Sequence, residues 1–147
     1  LPRDGLAFVS TRDADKPRAV ALAALLARAG LRLVATCGTA AALAAAGLDV
    51  EVVRKVSEGS PNVVDRIRRG EIALVVNTPR GGGAHADGAE IRRAAVRAGI
   101  PCITTVAAAE AAARAILAQA GRAASPVALQ DLWGEPAAGR IAGPAIA

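Results

Sequence analysis

Residues 31–53 read LRLVATCGTAAALAAAGLDVEVV, and the fold is decided here. An apolar run at 31–35 meets a Thr36-Cys-Gly-Thr39 turn, then an Ala/Leu segment that stops at Gly47, then a second apolar run at 50–53. Short continuous apolar runs read as strands buried on both faces, and the alanine-leucine segment between them as a crossover helix. Strands joined through a helix run parallel.

The same alternation extends in both directions. Toward the N-terminus, 6–10 is an apolar strand, 11–15 a polar turn, and a helix begins at Lys16 or Pro17, where proline suits the first turn. Leu22, Leu25, Leu26 and Ala29 repeat at helical spacing before Gly30. Toward the C-terminus come a helix at 62–69, a strand at 72–76 and a glycine-rich loop at 78–85 that contains His85. A helix with Ile91, Ala94, Ala95 and Ala98 as its buried stripe follows, stopped by Gly99. The series closes with a strand at 100–104 and a helix lined by Ala109, Ala112, Ala113, Ile116, Leu117 and Ala120. Five strands alternating with five helices predict an α/β chain, a Rossmann-like three-layer fold around a five-stranded parallel sheet. Residues 126–133 are expected to add a small strand or helical turn, making 1–133 one domain and 134–147 a flexible C-terminal tail.

Composition agrees with a single aliphatic domain. The chain has 147 residues, 53% of them hydrophobic, with 39 alanines and only Phe8 and Trp133 as aromatics. No apolar run approaches the roughly 18–20 residues needed to cross a bilayer. The chain begins Leu-Pro-Arg-Asp with neither an initiator Met nor a charged-then-apolar leader, so it reads as a mature or excised piece and not as a secretory precursor. Cys37 and Cys102 lie far apart and fit neither a metal pattern nor a redox pair, so two buried thiols in a reducing, cytoplasmic setting are expected, with no metal site. The net charge of +5 calls for an anionic partner. Without tyrosine there is almost no aromatic surface on which to stack unpaired bases, which favours a small anion over nucleic acid.

In open parallel sheets, ligands bind at the carboxyl ends of the strands. The residues that follow each apolar run are Ser10 with Lys16 beyond it, Thr36, Gly38 and Thr39, Lys55, Asn77 and Thr78, and Thr104 and Thr105. Only Lys16 and Lys55 among the 18 basic residues are lysine, and both fall on this rim. Thr39 is expected to cap the helix that follows, while free backbone N–H groups and two hydroxyls face one point and Gly38 lets a phosphate approach the backbone. The helix dipole and the two ammonium groups add positive charge. Lys16, Thr36, Gly38, Thr39 and Lys55 are therefore the candidate phosphate ligands, with Ser10, Asn77 and Thr78 placed to meet a ribose or base. His85, Asp65 and the Arg92-Arg93 pair read more simply as solvated or surface-paired groups.

Several pieces carry a resemblance when taken in order: Phe8-Val-Ser10, Asp15-Lys16, Ala35-Thr-Cys-Gly-Thr-Ala40, Lys55-Val-Ser-Glu-Gly59, Asp65-Arg-Ile67, Val76-Asn-Thr78, Ile91-Arg-Arg93 and Thr104-Thr105. Over roughly residues 5–133 the sequence resembles the methylglyoxal-synthase-like domain, most closely the C-terminal allosteric domain of the carbamoyl phosphate synthetase large subunit. The resemblance implies a regulatory module that binds a nucleoside monophosphate, UMP as feedback inhibitor and, in some members, IMP as activator. It implies no catalytic residues and no cofactor in this domain. The parent enzyme would use ATP with Mg or Mn in domains outside this chain, and its partners would be those catalytic domains and a glutaminase small subunit, with no nucleic acid or membrane. The resemblance departs at Pro79 and at Ile103, where the enteric-type domain has a threonine and an acidic residue. An isoleucine cannot pair with the ammonium of ornithine, so UMP is the favoured effector. The alternative is methylglyoxal synthase acting on dihydroxyacetone phosphate, but that enzyme needs carboxylates where this chain reads Glu58-Gly-Ser-Pro-Asn-Val-Val64 and Asn77-Thr-Pro79.

Overall fold

β1 (Leu6–Ser10), β2 (Arg32–Thr36), β3 (Val50–Val53), β4 (Ile72–Asn77) and β5 (Cys102–Ile103) form one parallel sheet in the order β3-β2-β1-β4-β5. The computed structural model describes residues 1–78, 85–119 and 127–129. Between and after the strands run α1 (Lys16–Arg28), α2 (Cys37–Ala45), α3 (Val63–Arg68), α4 (His85–Arg97) and α5 (Val106–Gln119). Single 3-10 turns at Asp13–Asp15 and Val56–Glu58 precede α1 and follow β3.

Strand alternation divides the core in two. Ala7, Val9, Leu33, Ala35, Leu74 and Val76 face α1, α2 and α5, which contribute Leu22, Leu26, Leu43 and Ile116. Phe8, Val34, Val53 and Val75 face α3 and α4, which contribute Val63, Val64, Ile67, Ile91 and Ala95. The result is the three-layer α/β fold expected. Because its stripes are largely alanine, α1 can lie close to α5, with Ala23 and Ala113 both fully buried, and Arg18 ties the two helices by pairing with Glu110 at 3.2 Å. Gly30, at φ +93°, ends α1 in a conformation that a side chain would strain.

Some boundaries and faces differ from expectation. β5 is two residues long because Pro101 has no N–H to give. Only its carbonyl joins the sheet, accepting from Val75 N at 2.9 Å, and by Thr105 the chain is already capping α5 with a hydroxyl that accepts from Ala108 N. Ala98 is exposed, since α4 ends at Arg97 and the chain leaves the sheet face there, so the buried stripe is Gly88, Ile91 and Ala95. Cys37 is exposed because it opens α2 at the rim, and Cys102 is partly buried. His85 begins α4 instead of lying in the loop. Residues 79–84, the segment expected at 126–133 apart from its exposed 127–129, and the tail at 134–147 lie outside the described residues. Among the described residues no helix is long and apolar enough to cross a membrane.

β3 is an outer edge, and its partner on the inner side is β2. Its Glu51 is drawn back by Arg66 of α3, which holds both carboxylate oxygens at 2.6 and 3.2 Å and also reaches Glu71 at 2.8 Å. Val52 beside it is exposed.

Candidate anion-binding site

The strand order reverses between β1 and β4. Up to β3 the chain winds outward on one side, with α1 and α2 on one face, and then crosses to β4 with α3 and α4 on the other. Such a switch point leaves a crevice at the carboxyl ends of the two diverging strands. Ser10 and Asn77 are paired residues at that point, with Thr36 ending the next strand over. Alternation turns Ser10, Thr36 and Asn77 toward the face of α3 and α4, continuing the rows of Phe8, Val34 and Val75 as a polar rim.

From the other side come the starts of two helices. Lys16 is the first residue of α1, and its Nζ lies 3.6 Å from the place a Cβ on Gly38 would occupy. Gly38 is in the first turn of α2, so the amine sits above the unpaired N–H groups that open that helix. Gly38 needs no positive φ. Its bare Cα leaves room between the helix end and the ammonium, where an anion would meet both.

Thr39 does not cap α2, contrary to expectation. It lies inside the helix, buried, and its Oγ1 accepts a hydrogen bond from Thr11 N at 3.3 Å, tying α2 to the end of β1. The capping position belongs to Thr36, whose hydroxyl makes no capping bond. Lys55 stands on the same edge, two residues beyond Val53, which pairs with Thr36. Its own N–H donates to Glu58 Oε2 at 2.9 Å.

Each amine already has a carboxylate beside it. Lys16 Nζ is 2.9 Å from Asp13, and Lys55 Nζ is 3.8 Å from Glu58. An anion entering between them would therefore compete with negative charge already in place. Glu58→Gln keeps an acceptor for Lys55 N but removes the charge, and is expected to tighten inorganic phosphate about 1.5- to 5-fold, matching ~0.2–1 kcal/mol for an exposed ion pair. Calorimetric titration checks it.

Thr78 is engaged in a brace. Its Oγ1 accepts from Arg12 N at 3.1 Å, which leaves its second lone pair and its proton for other partners. Hydrogen bonds from Arg12 hold the Asp15 carboxyl below the usual range, outweighing the opposing effect of burial, and Thr78 adds to them. Asp65 is likewise held low, first by the Asn62 N–H and then by the Ser60 hydroxyl. It pairs with Arg68 at 3.8 Å, the surface ion pairing expected of it, and also completes a capping box at the start of α3.

Four residues were missed. Thr11 Oγ1 is buried beside the site and has no hydrogen-bond partner among the described residues. The doubled hydroxyls of Ser10-Thr11 were the available signal. Ser57 donates from N and Oγ to Asp87 Oδ2 at 3.3 and 2.7 Å, clasping the Lys55 turn to α4. Arg92 was expected on a solvated face, but it is partly buried and turned inward to Asn77, while Arg93 is exposed as expected. Its spacing of four from Gly88 was the clue. Burial pushes the Cys102 thiol up, and the charge of Arg92 pulls it partly back. Among the described residues no group of three His, Cys, Asp or Glu side chains is arranged to hold a metal ion.

The model for the MGS-like domain matches residues 18–104. The chain is 56% identical over 117 residues to the carbamoyl phosphate synthase large chain, C-terminal section, of Methanopyrus kandleri, a match covering 79% of this chain and 22% of that protein. It is 50% identical over 116 residues to the carbamoyl phosphate synthase large chain of Methanothrix thermoacetophila and 47% identical over 116 residues to that of Pseudomonas putida. In both cases 79% of this chain covers 11% of the relative. The chain thus spans a minor part of the length of the relatives it matches. The family match runs from within α1 through β5 and takes in the rim from Thr36 to Asn77, and on that evidence the chain belongs to the MGS-like domain family.

Proposed function

We propose that this chain is the allosteric regulatory domain of a glutamine-hydrolysing carbamoyl phosphate synthetase large subunit, and that it binds a nucleoside monophosphate, UMP or IMP, at the switch-point crevice. The observation that carries the reading is the ammonium of Lys16 standing over Gly38 at the open N-terminus of α2. Charge-assisted hydrogen bonds contribute roughly 1.5–3 kcal/mol each, so three or four on one phosphate support micromolar affinity after the ordering costs. Lys16, the turn at Thr36 to Thr39 and Lys55 take the phosphate, and Ser10 and Asn77 meet the nucleoside, with Thr78 bracing the loop behind them.

In this reading the domain has no catalytic residue and no cofactor of its own. ATP, with Mg or Mn, and the glutaminase subunit belong to the rest of the synthetase, in the cytoplasm. Methylglyoxal synthase is the less favoured reading, because the switch point presents the amide of Asn77, hydrogen-bonded to Arg92, where proton transfer would need a carboxylate. Regulation follows if the effector binds two states of the whole synthetase with different affinity.

Titration of the 147-residue chain with UMP and uridine tests the proposal. UMP is expected to bind in the micromolar range and uridine at least about 50-fold more weakly, the loss of more than one charge-assisted contact. Equal affinities would overturn it. Parallel titrations with IMP and ornithine define the effector, and a shallow salt dependence separates a single phosphate from diffuse polyanion binding.

A further inference from the structure

Asn77 is nine-tenths buried at the switch point, and among the described residues only one end of its carboxamide has a protein partner. Oδ1 accepts from Arg92 Nη1 at 3.3 Å, while Nδ2 has no partner among the described residues. A guanidinium can only donate, so it faces the carbonyl end of the amide and leaves the NH2 end turned away from it. Among the described residues Arg92 has no carboxylate partner either, which is unusual for a partly buried cation.

The helix is built around this pair. Gly88 is buried one turn before Arg92 in α4, where glycine is a poor helix former. A Cβ on it would stand 3.0 Å from Arg92 Nη1 and 3.2 Å from Asn77 Oδ1. The missing side chain is what allows guanidinium and amide to meet against the helix.

We propose that Arg92 is a positioning residue that fixes the Asn77 carboxamide, so that Nδ2 donates into the effector crevice and the site selects ligands presenting an acceptor oxygen there. That oxygen is a ribose hydroxyl or a base carbonyl. The proposal rests on the nucleotide reading above and deepens it. Arg92 acts through Asn77 and touches no ligand itself.

A double-mutant cycle in the full 147-residue chain tests it, with UMP, 2′-deoxy-UMP and CMP as probes and uridine as control. Arg92→Met and Asn77→Ala are each expected to weaken UMP about tenfold, the scale of one buried hydrogen bond to a ligand. The double variant should be no more than about threefold worse than the weaker single, because both remove the same contact. Arg92→Lys, which also only donates, should recover most of the loss.

The probes separate the two oxygens. If the ribose is read, the preference for UMP over 2′-deoxy-UMP disappears in both single variants. If the base is read, the preference over CMP disappears. Costs that add in the double variant, or an Arg92→Met chain with unchanged UMP affinity and unchanged preferences, would overturn the proposal. Melting curves establish that the variants fold. Should Arg92→Met not fold, Gly88→Ala pushes on the pair from a position that favours helix, and it must weaken UMP with the same change in preference or the idea fails. Preference for UMP over uridine is expected to survive in every variant. Its absence in the unaltered chain would sink the nucleotide reading instead.

Discussion

Lys16→Ala is expected to weaken UMP roughly 10- to 150-fold, the equivalent of ~1.5–3 kcal/mol for one charge-assisted contact, with the far-UV circular dichroism unchanged. Lys16 is chosen over Lys55 on geometry. Its side chain is 29% exposed against 44% for Lys55, and it stands over the opening of α2, so its charge is less screened and better aimed. Pro17 remains in the first turn of α1, so the helix start is preserved. Calorimetry with UMP on the two chains decides the matter, and equal affinities would show that the phosphate does not lie between Lys16 and α2.

Phe8→Ala carries the largest expected stability effect, about 3–5 kcal/mol. Phe8 is fully buried on the central strand β1 and is the largest side chain in the cluster with Val34, Val63, Val64, Ile67 and Val75. The surrounding residues are branched aliphatics on a sheet and two helices, so little can collapse into the space a phenyl ring leaves. Against a typical total of 5–15 kcal/mol, such a loss removes a large part of the margin. A thermal melt followed by circular dichroism should shift down by about 10–15 °C. A shift of only a degree or two would mean that the core repacks around the gap.

Comparing sequence and structure shows which signals local pattern carries. β1 and β3 are found at the expected residues, because a continuous apolar run bounded by polar or glycine residues has only one good reading. The rim was legible for the same reason, since in a parallel sheet the residues after each run share one edge. What could not be read was which of two hydroxyls in a turn does which job. Thr36 and Thr39 are both plausible caps locally, and only the approach of Thr11 from β1 assigns Thr39 to a tertiary bond. Arg92 was obscured by its neighbour, because two adjacent arginines look alike in sequence although a helix turns them about 100° apart. Asp65 makes the surface ion pair its arginine neighbours suggest, with Arg68, and Asn62 three residues before it adds a capping box that the charge pattern alone does not reveal.

The open side of the sheet has a bearing on how the molecule behaves at high concentration. Among the described residues the four-residue β3 has no strand on its outer side, and Val52 adds an exposed apolar side chain there. Against the addition of a foreign strand, the described residues set its shortness and the carboxylate of Glu51, which Arg66 keeps pinned in place. The Glu51–Arg66 pair on that margin thus bears on the protein's colloidal behaviour through an edge separate from the crevice.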